Sequence, residues 1–312
     1  EIADRDWSSD VCSSDLVHFG NGKLEDSGDH PMADTVFSAL CHEAVAIEKL
    51  DALVSSVQEG KIAISDALPY NGDVFYVPKP MMSIETGSDP DSKIKKKAKK
   101  MNYIPAEKMQ EYISGELDIA TESDKLKEMG SSDIRTMASV TYDDETMPFS
   151  VGTFRFDENW GLYIIVGYET ETEQELIEEL FLNMSCTGIG GKRSAGLGKF
   201  DLFPAKLPDY ITDRLTISNS NADKLMTLSV SMCEEAELDT LVRDSSFLMV
   251  KRSGFVSSAT YADSLMKKQD FFVFKSGSVF GRSFSGVVKD VSYEGNHPVY
   301  RYAKPIFWEV KR

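Results

Sequence analysis

Apolar residues recur at every third or fourth position between residues 34 and 57, and polar residues fill most of the positions between them. This spacing predicts an amphipathic α-helix, with Asp34 or Thr35 as its N-cap. Two short apolar runs follow, at 61–65 and 74–78, and predict β-strands around a turn that contains proline, asparagine and glycine. The ordered part of the chain therefore opens with a helix and continues with strands.

A second group of apolar segments predicts more strands and another helix. Residues 151–156 and 162–167 predict a β-hairpin with a tight turn between them. Thr172 and Glu175 have the spacing of a capping box and open a helix with apolar positions every three or four residues. A strand is predicted from Phe200. This order matches a βαββαβ ferredoxin-like unit, provided that one more strand precedes the first helix.

Residues 83–149 interrupt this pattern with a polar stretch, which predicts a mobile insertion rather than core. Within it, residues 93–100 contain six lysines in eight positions, although the chain as a whole is acidic. Such a run is typical of a solvated helix face or a flexible insertion. A segment that contacts phosphates or docks a partner has the same composition, and the sequence leaves both interpretations open.

Pro204 and Pro208 mark the predicted end of the first domain. Beyond them, short apolar runs alternate with turns that contain serine and glycine, which predicts a strand-rich second domain. We therefore expect an α+β protein with two ferredoxin-like domains, at residues 17–205 and 206–312. The length of 312 residues suits two domains at roughly 100–200 residues each.

Charge and composition narrow the function. The chain has 34 Lys and Arg residues against 51 Asp and Glu residues, a formal charge of −17, so long-range attraction to phosphates or anionic membranes is not expected. No apolar stretch is long enough to span a bilayer. The four cysteines have no CxxC spacing, which argues against a zinc site and favours reduced thiols. We predict a soluble cytoplasmic protein without a metal or cofactor, in which any nucleic-acid site must be local.

The first sixteen residues do not fit the rest of the chain. They contain no cationic segment followed by an apolar one, so they do not form a signal peptide. Their Asp and Ser repetition resembles a translated sequencing adapter, and residues 1–16 are predicted to be non-native; a genuine polar arm is the alternative. On the first interpretation, the first domain is missing its native first strand, which should be an apolar run before His18.

The sharpest motif is a glycine-rich loop that follows the second predicted helix. It carries five glycines in eleven positions and a basic triplet: Gly188, Gly190, Gly191, Gly196 and Gly198, with Lys192, Arg193 and Ser194. It matches neither a Walker A loop nor G-x-G-x-x-G, and it leads from a helix into a strand, the reverse of those motifs. Backbone N–H groups beside two cations suit the phosphodiesters of a polynucleotide. A helix C-cap followed by a wide turn is the alternative.

A set of motifs in a fixed order resembles one known family. They are VHFGNG at 17–22, ADTVFSAL at 33–40, SDALPY at 65–70, YVPKP at 76–80, the glycine loop at 187–200, KRSGF at 251–255, KSGSVF at 275–280 and YAKPI at 302–306. The family is the RAMP-superfamily subunit that caps the 5′ handle of crRNA in type III-A CRISPR interference (Csm) complexes. A glycine loop alone would indicate only the superfamily, and the later motifs indicate this subunit.

The resemblance implies a non-catalytic RNA-binding subunit with two RRM-like folds. Its partners would be the crRNA 5′ handle, the large polymerase/cyclase-like subunit on one side and the first backbone RAMP subunit on the other, with no membrane involved. It also implies a set of RNA-binding residues: His18, then Gly188, Gly190, Gly191, Lys192, Arg193, Ser194, Gly196 and Gly198, then Lys251, Arg252 and Ser253, and finally Lys275, Ser276, Gly277 and Ser278.

Single residues leave other classes of function open. His18 is the candidate general acid or base of a RAMP-type, metal-independent endoribonuclease that processes CRISPR RNA, but no other histidine shares a recognisable spacing with it. Asp29 and Asp34 lie where the backbone subunits of these complexes carry a cleaving aspartate, although an N-cap role also explains Asp34. A nucleotide-dependent enzyme is disfavoured by the reversed order of the glycine loop. We therefore expect no catalytic residue.

Overall fold

The computed structural model describes residues 7–10, 16–20, 22–84, 92–139, 147–216, 223–258 and 260–310. The first half contains β1 (Trp7–Asp10), β2 (Phe19–Gly20), β3 (Ser27–Gly28), α1 (Ala33–Ala46), α2 (Leu50–Gln58), β4 (Ile62–Ile64), β5 (Leu68–Asn71), β6 (Val74–Pro78), α3 (Ser92–Lys100), β7 (Tyr103–Pro105), α4 (Met109–Ser114), α5 (Ile119–Lys127), β8 (Gly130–Ser139), β9 (Met147–Phe156), β10 (Trp160–Tyr163), β11 (Val166–Tyr168), α6 (Glu171–Thr187) and β12 (Asp201–Pro204). The second half contains α7 (Asp209–Thr212), β13 (Leu215–Thr216), β14 (Leu225–Thr227), α8 (Glu235–Leu241), β15 (Met249–Arg252), β16 (Phe271–Phe274), β17 (Val279–Phe280), β18 (Val287–Asp290), β19 (Tyr300–Ala303) and β20 (Phe307–Glu309).

Antiparallel pairing organises the first half around a sheet. β5 and β6 form a hairpin, β10 extends the sheet beside β5, and β7 extends it beside β6. β4 pairs with β11, and the helices α1 and α6 pack against each other. The structure thus has the mixed α+β class that the sequence predicts.

A short strand near the N-terminus pairs with the last strand of the first half. β1 lies antiparallel to β12, from Trp7 opposite Pro204 to Asp10 opposite Asp201. β1 also neighbours β10, so it stands in the central position that the first strand of a βαββαβ unit occupies. Residues of the adapter-like segment therefore fill that position, and the foreign origin of the segment stays a prediction.

The predicted hairpin between 151–156 and 162–167 is wrong. β9 pairs instead with β8 over ten residues, from Met147 opposite Ser139 to Phe156 opposite Gly130. β10 pairs with β5, and all of its residues are buried. Sequence proximity favours a hairpin, but a fully buried strand can take its partner from any part of the chain. Local patterning therefore could not identify the partner of either strand.

Two helix boundaries also differ from prediction. The single helix expected over 34–57 is split into α1 and α2, because Glu48 adopts a left-handed backbone conformation with a φ of 59°. The N-cap of α6 is Thr170, whose hydroxyl donates a hydrogen bond to the Glu173 carboxylate. This pair has the capping spacing of three residues and precedes the predicted N-cap Thr172 by two positions.

The described part of the insertion forms helices and strands and joins the core, contrary to the predicted mobile excursion. β7 is the edge strand beside β6, and Met101, Ile104 and Met109 are buried. The lysine run forms α3, which packs against α5. A few apolar residues attach residues 92–129 to the core, so the average composition of this stretch stays polar and does not reveal the packing. Residues 85–91 and 140–146 of the predicted insertion lie outside the described residues.

The second half contains a sheet with the strand order β13, β20, β14, β17, and two hairpins, β15 with β16 and β18 with β19. A small separate core consists mainly of edge-to-face phenylalanines: Phe274, Phe280, Phe284 and Phe307. The main core runs through both halves, because Tyr302 and Trp308 belong to it. The Tyr302 hydroxyl accepts a hydrogen bond from the N–H of Ile64 at 2.8 Å.

The domain boundary expected between residues 205 and 206 stays a prediction. None of the described helices has the length and apolar content that crossing a bilayer requires.

Asp66 connects the start of α1 to the second half of the chain. Its Oδ1 accepts hydrogen bonds from the backbone N–H groups of Ala33 at 2.8 Å and Val230 at 3.0 Å. Asp66, rather than the predicted Asp34 or Thr35, therefore satisfies the first N–H of α1. Burial raises the pKa of the Asp66 carboxyl and outweighs these hydrogen bonds, which lower it.

The raised pKa predicts how Asp66 affects stability as the pH changes. Its favourable contribution is complete below the unfolded-state pKa, near 3.8, and is lost as the pH rises through the higher folded-state pKa. Asparagine keeps an acceptor oxygen and carries no charge. We therefore expect the melting temperature of Asp66→Asn, relative to the parent, to rise between pH 4 and pH 8 in thermal denaturation.

Asp66→Ala is the control for this prediction. It removes the acceptor of two backbone N–H groups and should be less stable than Asp66→Asn by about 1–3 kcal/mol at every pH, because both donors are then buried without a partner and neither variant titrates at this position. A melting-temperature difference for Asp66→Asn that stays constant or falls as the pH rises would contradict the prediction.

Candidate nucleic-acid interface

The glycine loop closes on itself directly after α6. Gly188 ends the helix with a φ of 85°, and the N–H of Ile189 donates to the Gly198 carbonyl at 2.8 Å. The loop is also tied to the segment before β2, because the N–H of Gly191 donates to the His18 carbonyl at 2.8 Å. The base of the loop is therefore fixed by the backbone on two sides.

Close packing accounts for most of the glycines. A Cβ at Gly198 would overlap the Ile189 carbonyl oxygen, and one at Gly190 would lie 2.7 Å from the His18 carbonyl oxygen. A Cβ at Gly191 would lie 2.6 Å from His18 Cδ2. Gly196, by contrast, has open space around it, and its φ is 87°. A helix C-cap followed by a wide turn, the alternative to a phosphate-binding loop, thus explains the glycines at the base of the loop. The exposed rim around Gly196 remains accessible to a ligand.

His18 lies beneath this loop and is buried. Its Nδ1 stands 2.7 Å from the carbonyl oxygen of Gly152, a geometry in which the ring donates to the backbone. The ring therefore supports both the loop and the adjoining strand β9. A general acid or base needs access to a substrate proton, which this buried position does not offer, and the RNA contact expected for His18 stays a prediction.

A cleft of about 520 Å³ opens beside the loop, between the N-terminal end of α1 and the second half of the chain. Four cationic side chains and two carboxylates line it: Arg193, Arg252, Lys268 and Arg301, with Asp29 and Asp34. Even when Glu43, which lies 3.9 Å from Arg193, is counted, the cations outnumber the carboxylates at this cleft on a chain whose net charge is −17. An excess of this sign in a concave site attracts an anion.

Asp34 holds two of these cations in place. It is buried, and the Arg252 guanidinium donates to both of its oxygens, at 2.8 and 2.9 Å. Arg301 donates to the same carboxylate and also to the Ser253 carbonyl at 3.3 Å. Burial alone would raise the pKa of Asp34, but the two guanidinium groups outweigh it and lower the pKa. The single negative charge of Asp34 is thus shared by two guanidinium groups, so this cluster keeps a net charge of one positive unit.

Lys268 and His42 complete the charged lining of the cleft. Burial lowers the pKa of Lys268, and the neighbouring charges of Arg301 and Arg252 add to this effect. Burial also lowers the pKa of His42, followed by the charges of Arg193 and Lys268. Burial is the larger cause of both shifts and the neighbouring cations add to it, so a bound anion would favour the protonated forms of both groups.

The cleft contains some of the predicted RNA-binding residues and excludes others. Gly190, Gly191 and Arg193 line it together with Arg252 and Ser253 from the second half. Lys251 is on the other face of β15 and pairs with Asp270 at 2.7 Å. Two parts of the chain separated by about sixty positions in sequence therefore meet at one cleft.

The remaining predicted residues lie outside the cleft. The Lys192 Nζ stands 4.4 Å from the centre of the Phe149 ring, and Ser194 is exposed on the rim of the loop. The turn Lys275–Ser278 packs elsewhere: a Cβ at Gly277 would lie 2.7 Å from the Lys79 carbonyl oxygen, and Ser278 is fully buried. This packing accounts for Gly277 and Ser278, whereas Lys275 is only half-buried, and the RNA contacts expected for this turn stay a prediction.

Sequence reasoning missed Lys268, Arg301 and His42. None of them belongs to a recognisable local motif, since Lys268 lies in a polar stretch and Arg301 alternates with aromatic residues in β19. Their placement in the cleft depends on neighbours far away in the sequence. Among the described residues, no three His, Cys, Asp or Glu side chains are grouped in a way that could hold a metal ion.

Comparisons with known proteins first define the class. The model of the RAMP superfamily matches residues 16–201, and the model of the CRISPR Csm4 C-terminal domain matches residues 220–310. The relative named CRISPR system Cms protein Csm4 from Mycobacterium tuberculosis is 36% identical over 294 residues, which cover 94% of each chain. Its namesake from Streptococcus thermophilus is 32% identical over 303 residues, 95% of this chain and 96% of the relative. The chain belongs to the Csm4 family of CRISPR proteins, within the RAMP superfamily.

Solved structures agree on the fold. The crystal structure of the Csm3-Csm4 subcomplex in the type III-A CRISPR-Cas interference complex contains a chain that matches with a TM-score of 0.68 and 16% identity, covering 99% of this chain and 100% of that one. The Csm1-Csm4 cassette in complex with cA4 contains a chain that matches with a TM-score of 0.56 and 16% identity, covering 98% of each. The family resemblance and the α+β class predicted from the sequence are confirmed.

Proposed function

We propose that this chain is a non-catalytic RNA-binding subunit of a type III-A CRISPR interference complex, which anchors and caps the 5′ handle of crRNA. The observation that carries the proposal is the cleft in which the glycine loop meets Arg252, Lys268 and Arg301. RNA is held mainly through phosphate and ribose contacts where bases are not read, and these cations suit such contacts.

The distribution of charge supports a defined RNA position. The cleft has an excess of cations, whereas the chain as a whole has a charge of −17. A uniformly basic protein binds RNA at any register, because phosphate contacts do not depend on sequence. An acidic surface around a basic cleft restricts binding to that cleft. This arrangement suits a subunit that must stop at the end of the guide.

The proposed partners follow from the relatives. The matched structures are described as a Csm3-Csm4 subcomplex and a Csm1-Csm4 cassette. We assign this chain the same two kinds of neighbour: a backbone RAMP subunit on one side and a large polymerase/cyclase-like subunit on the other. It would thereby bridge the two in antiviral defence in the cytoplasm.

The endoribonuclease alternative has less support. His18, its only candidate catalytic residue, is buried and its Nδ1 is engaged with the Gly152 carbonyl. Incubation of the protein with CRISPR repeat RNA should therefore leave the RNA intact. Cleavage that is lost in His18→Ala would overturn the non-catalytic assignment.

The glycine-loop cations provide the direct test of the proposed function. We expect Lys192→Ala/Arg193→Ala to reduce the affinity for crRNA about tenfold. The plot of log K against log salt concentration should also become less steep by about 1.4, because each lost phosphate contact with a single strand contributes about 0.7 to the slope. Binding is measured by filter retention of a crRNA that carries its 5′ handle.

A matched control removes the same charge elsewhere. Lys206 and Lys289 are exposed and lie outside the cleft, so Lys206→Ala/Lys289→Ala should retain the parent affinity and salt slope. Equal affinities for the loop variant, the control and the parent would contradict the role assigned to the loop.

A further inference from the structure

A second cavity adjoins the cleft and is bordered by the lysine-rich helix α3. Its volume is about 580 Å³, within the range of about 300–1,000 Å³ that ligand sites span. Lys96, Lys99 and Lys100 line it and are spaced i, i+3 and i+4, so they share one face of the helix. The proposed handle site does not account for this concentration of charge.

The lysines around this cavity differ in whether their charge is balanced. Lys97 and Lys127 both pair with Asp124, at 2.8 and 2.6 Å. Within the described ranges, Lys96, Lys99 and Lys100 have no carboxylate in ion-pair contact. Like charges on one helix face destabilise the helix, so three uncompensated cations indicate a binding role for an anion.

The helix is nevertheless held firmly against the protein. The Lys79 ammonium donates to the Ala98 carbonyl at 2.5 Å, and α3 packs on α5. Met101 and Tyr103, which follow the helix, are buried and attach it to the edge strand β7. The three lysines therefore project from a positioned element.

The floor of the cavity is apolar. Met101, Tyr103, Leu126 and Met129 contribute to its lining. A surface of this kind with a rim of lysines matches a single-stranded nucleotide, because the base rests on apolar or aromatic groups while the phosphate meets the cations. An acidic peptide would satisfy the lysines but would leave the apolar floor without a matching group unless it carried apolar residues as well.

Asp29 connects the two cavities, because it lines both of them. It pairs with His30 at 2.6 Å, and the Tyr103 hydroxyl lies 3.0 Å from the His30 ring nitrogens. Burial alone would raise the pKa of Asp29, but its hydrogen bond to His30 and the charge of His30 outweigh it and lower the pKa. An RNA strand leaving the cleft past this point reaches the lysine face next.

We propose that the α3 cavity binds the phosphodiester backbone of the RNA nucleotides that adjoin the handle, with Lys96, Lys99 and Lys100 contacting successive phosphates. The proposal rests on the proposed function, since it extends the same strand beyond the first cleft. The lysine run would thus bind single-stranded RNA, and the insertion would form a second RNA-binding surface next to the cleft.

The experiment compares three variants of the full chain on one probe. The probe is a single-stranded RNA with a repeat-derived handle followed by guide sequence, and the readouts are hydroxyl-radical protection of its riboses and the salt dependence of binding. For Lys96→Ala/Lys99→Ala/Lys100→Ala we expect protection of the handle to persist, protection of the adjoining nucleotides to be lost, and the salt slope to become less steep by about 2. The affinity should fall about tenfold.

The two other variants separate this proposal from the proposed function. Lys192→Ala/Arg193→Ala should lose protection of the handle itself, and Lys206→Ala/Lys289→Ala should match the parent. If only the glycine-loop variant changes, the α3 proposal is wrong and the handle site stands. If neither the loop variant nor the α3 variant changes, the proposed function fails. Unchanged RNA protection in the α3 variant together with loss of a co-purifying complex subunit would identify a protein-docking helix and overturn the proposal.

Discussion

Replacing Asp34 with alanine should lower the free energy of unfolding by about 3–5 kcal/mol, the usual cost of removing one partner of a buried ion pair. Asp34 is buried, and Arg252 and Arg301 both donate to it. The variant leaves two guanidinium groups close together in a largely enclosed site without their common counter-charge. Urea denaturation of the full chain measures the loss.

Asp263→Ala is the matched control, because Asp263 is exposed and its replacement should change the free energy of unfolding by no more than about 0.5 kcal/mol.

The stability lost in Asp34→Ala should also depend on pH. The pKa of Asp34 is lowered in the folded state, so its stabilising contribution is present above the unfolded-state value near 3.8 and is lost as the pH falls through the folded-state pKa. A difference between the Asp34 variant and the parent below about 1 kcal/mol at neutral pH would show that the pair acts as an exposed one.

Gly198→Ala should destabilise the protein by about 3 kcal/mol or more, because it combines overpacking with left-handed backbone strain. The new Cβ would overlap the Ile189 carbonyl oxygen, and the φ of Gly198 is 80°. Since this contact closes the glycine loop, the variant should also lose crRNA binding. Thermal melting and filter retention measure the two effects.

Gly196→Ala separates strain from overlap. Its φ of 87° resembles that of Gly198, but a Cβ there meets no atom within 4 Å. It should therefore cost only about 1–2 kcal/mol, the strain of a left-handed non-glycine residue. Equal losses for the two variants would mean that the overlap has no consequence, and would contradict a role for loop closure.

The sequence was sufficient for features that depend on neighbouring residues. The α6 helix follows from its 3.6-residue period, and the loop after it follows from the density of glycines. The order of helix, glycine loop and strand, with Gly188 directly after α6, needs no information from the rest of the chain. The family motifs likewise led to the fold class.

Features that depend on distant residues were predicted wrongly or missed. Asp34 has the position of an N-cap, yet it pairs with Arg252, which is 218 residues away. The N–H of Ala33 at the start of the helix is instead accepted by Asp66, which is 33 residues from Ala33. The partner of β9 is hidden in a polar segment for the same reason. The RNA contacts of Lys192 and the other site residues stay predictions, because they require a ligand.

The separation of Asp34 from its partners has a consequence for biosynthesis. Arg301 is synthesised 267 residues after Asp34, which at cellular translation rates takes on the order of tens of seconds. In the last part of that interval, once residue 198 has been added, the nascent chain carries both the glycine loop and the Asp34 carboxylate, but not the arginine that completes the cleft. The complete cleft therefore exists only after the ribosome has passed Arg301, so its assembly is necessarily a late event in the synthesis of the chain.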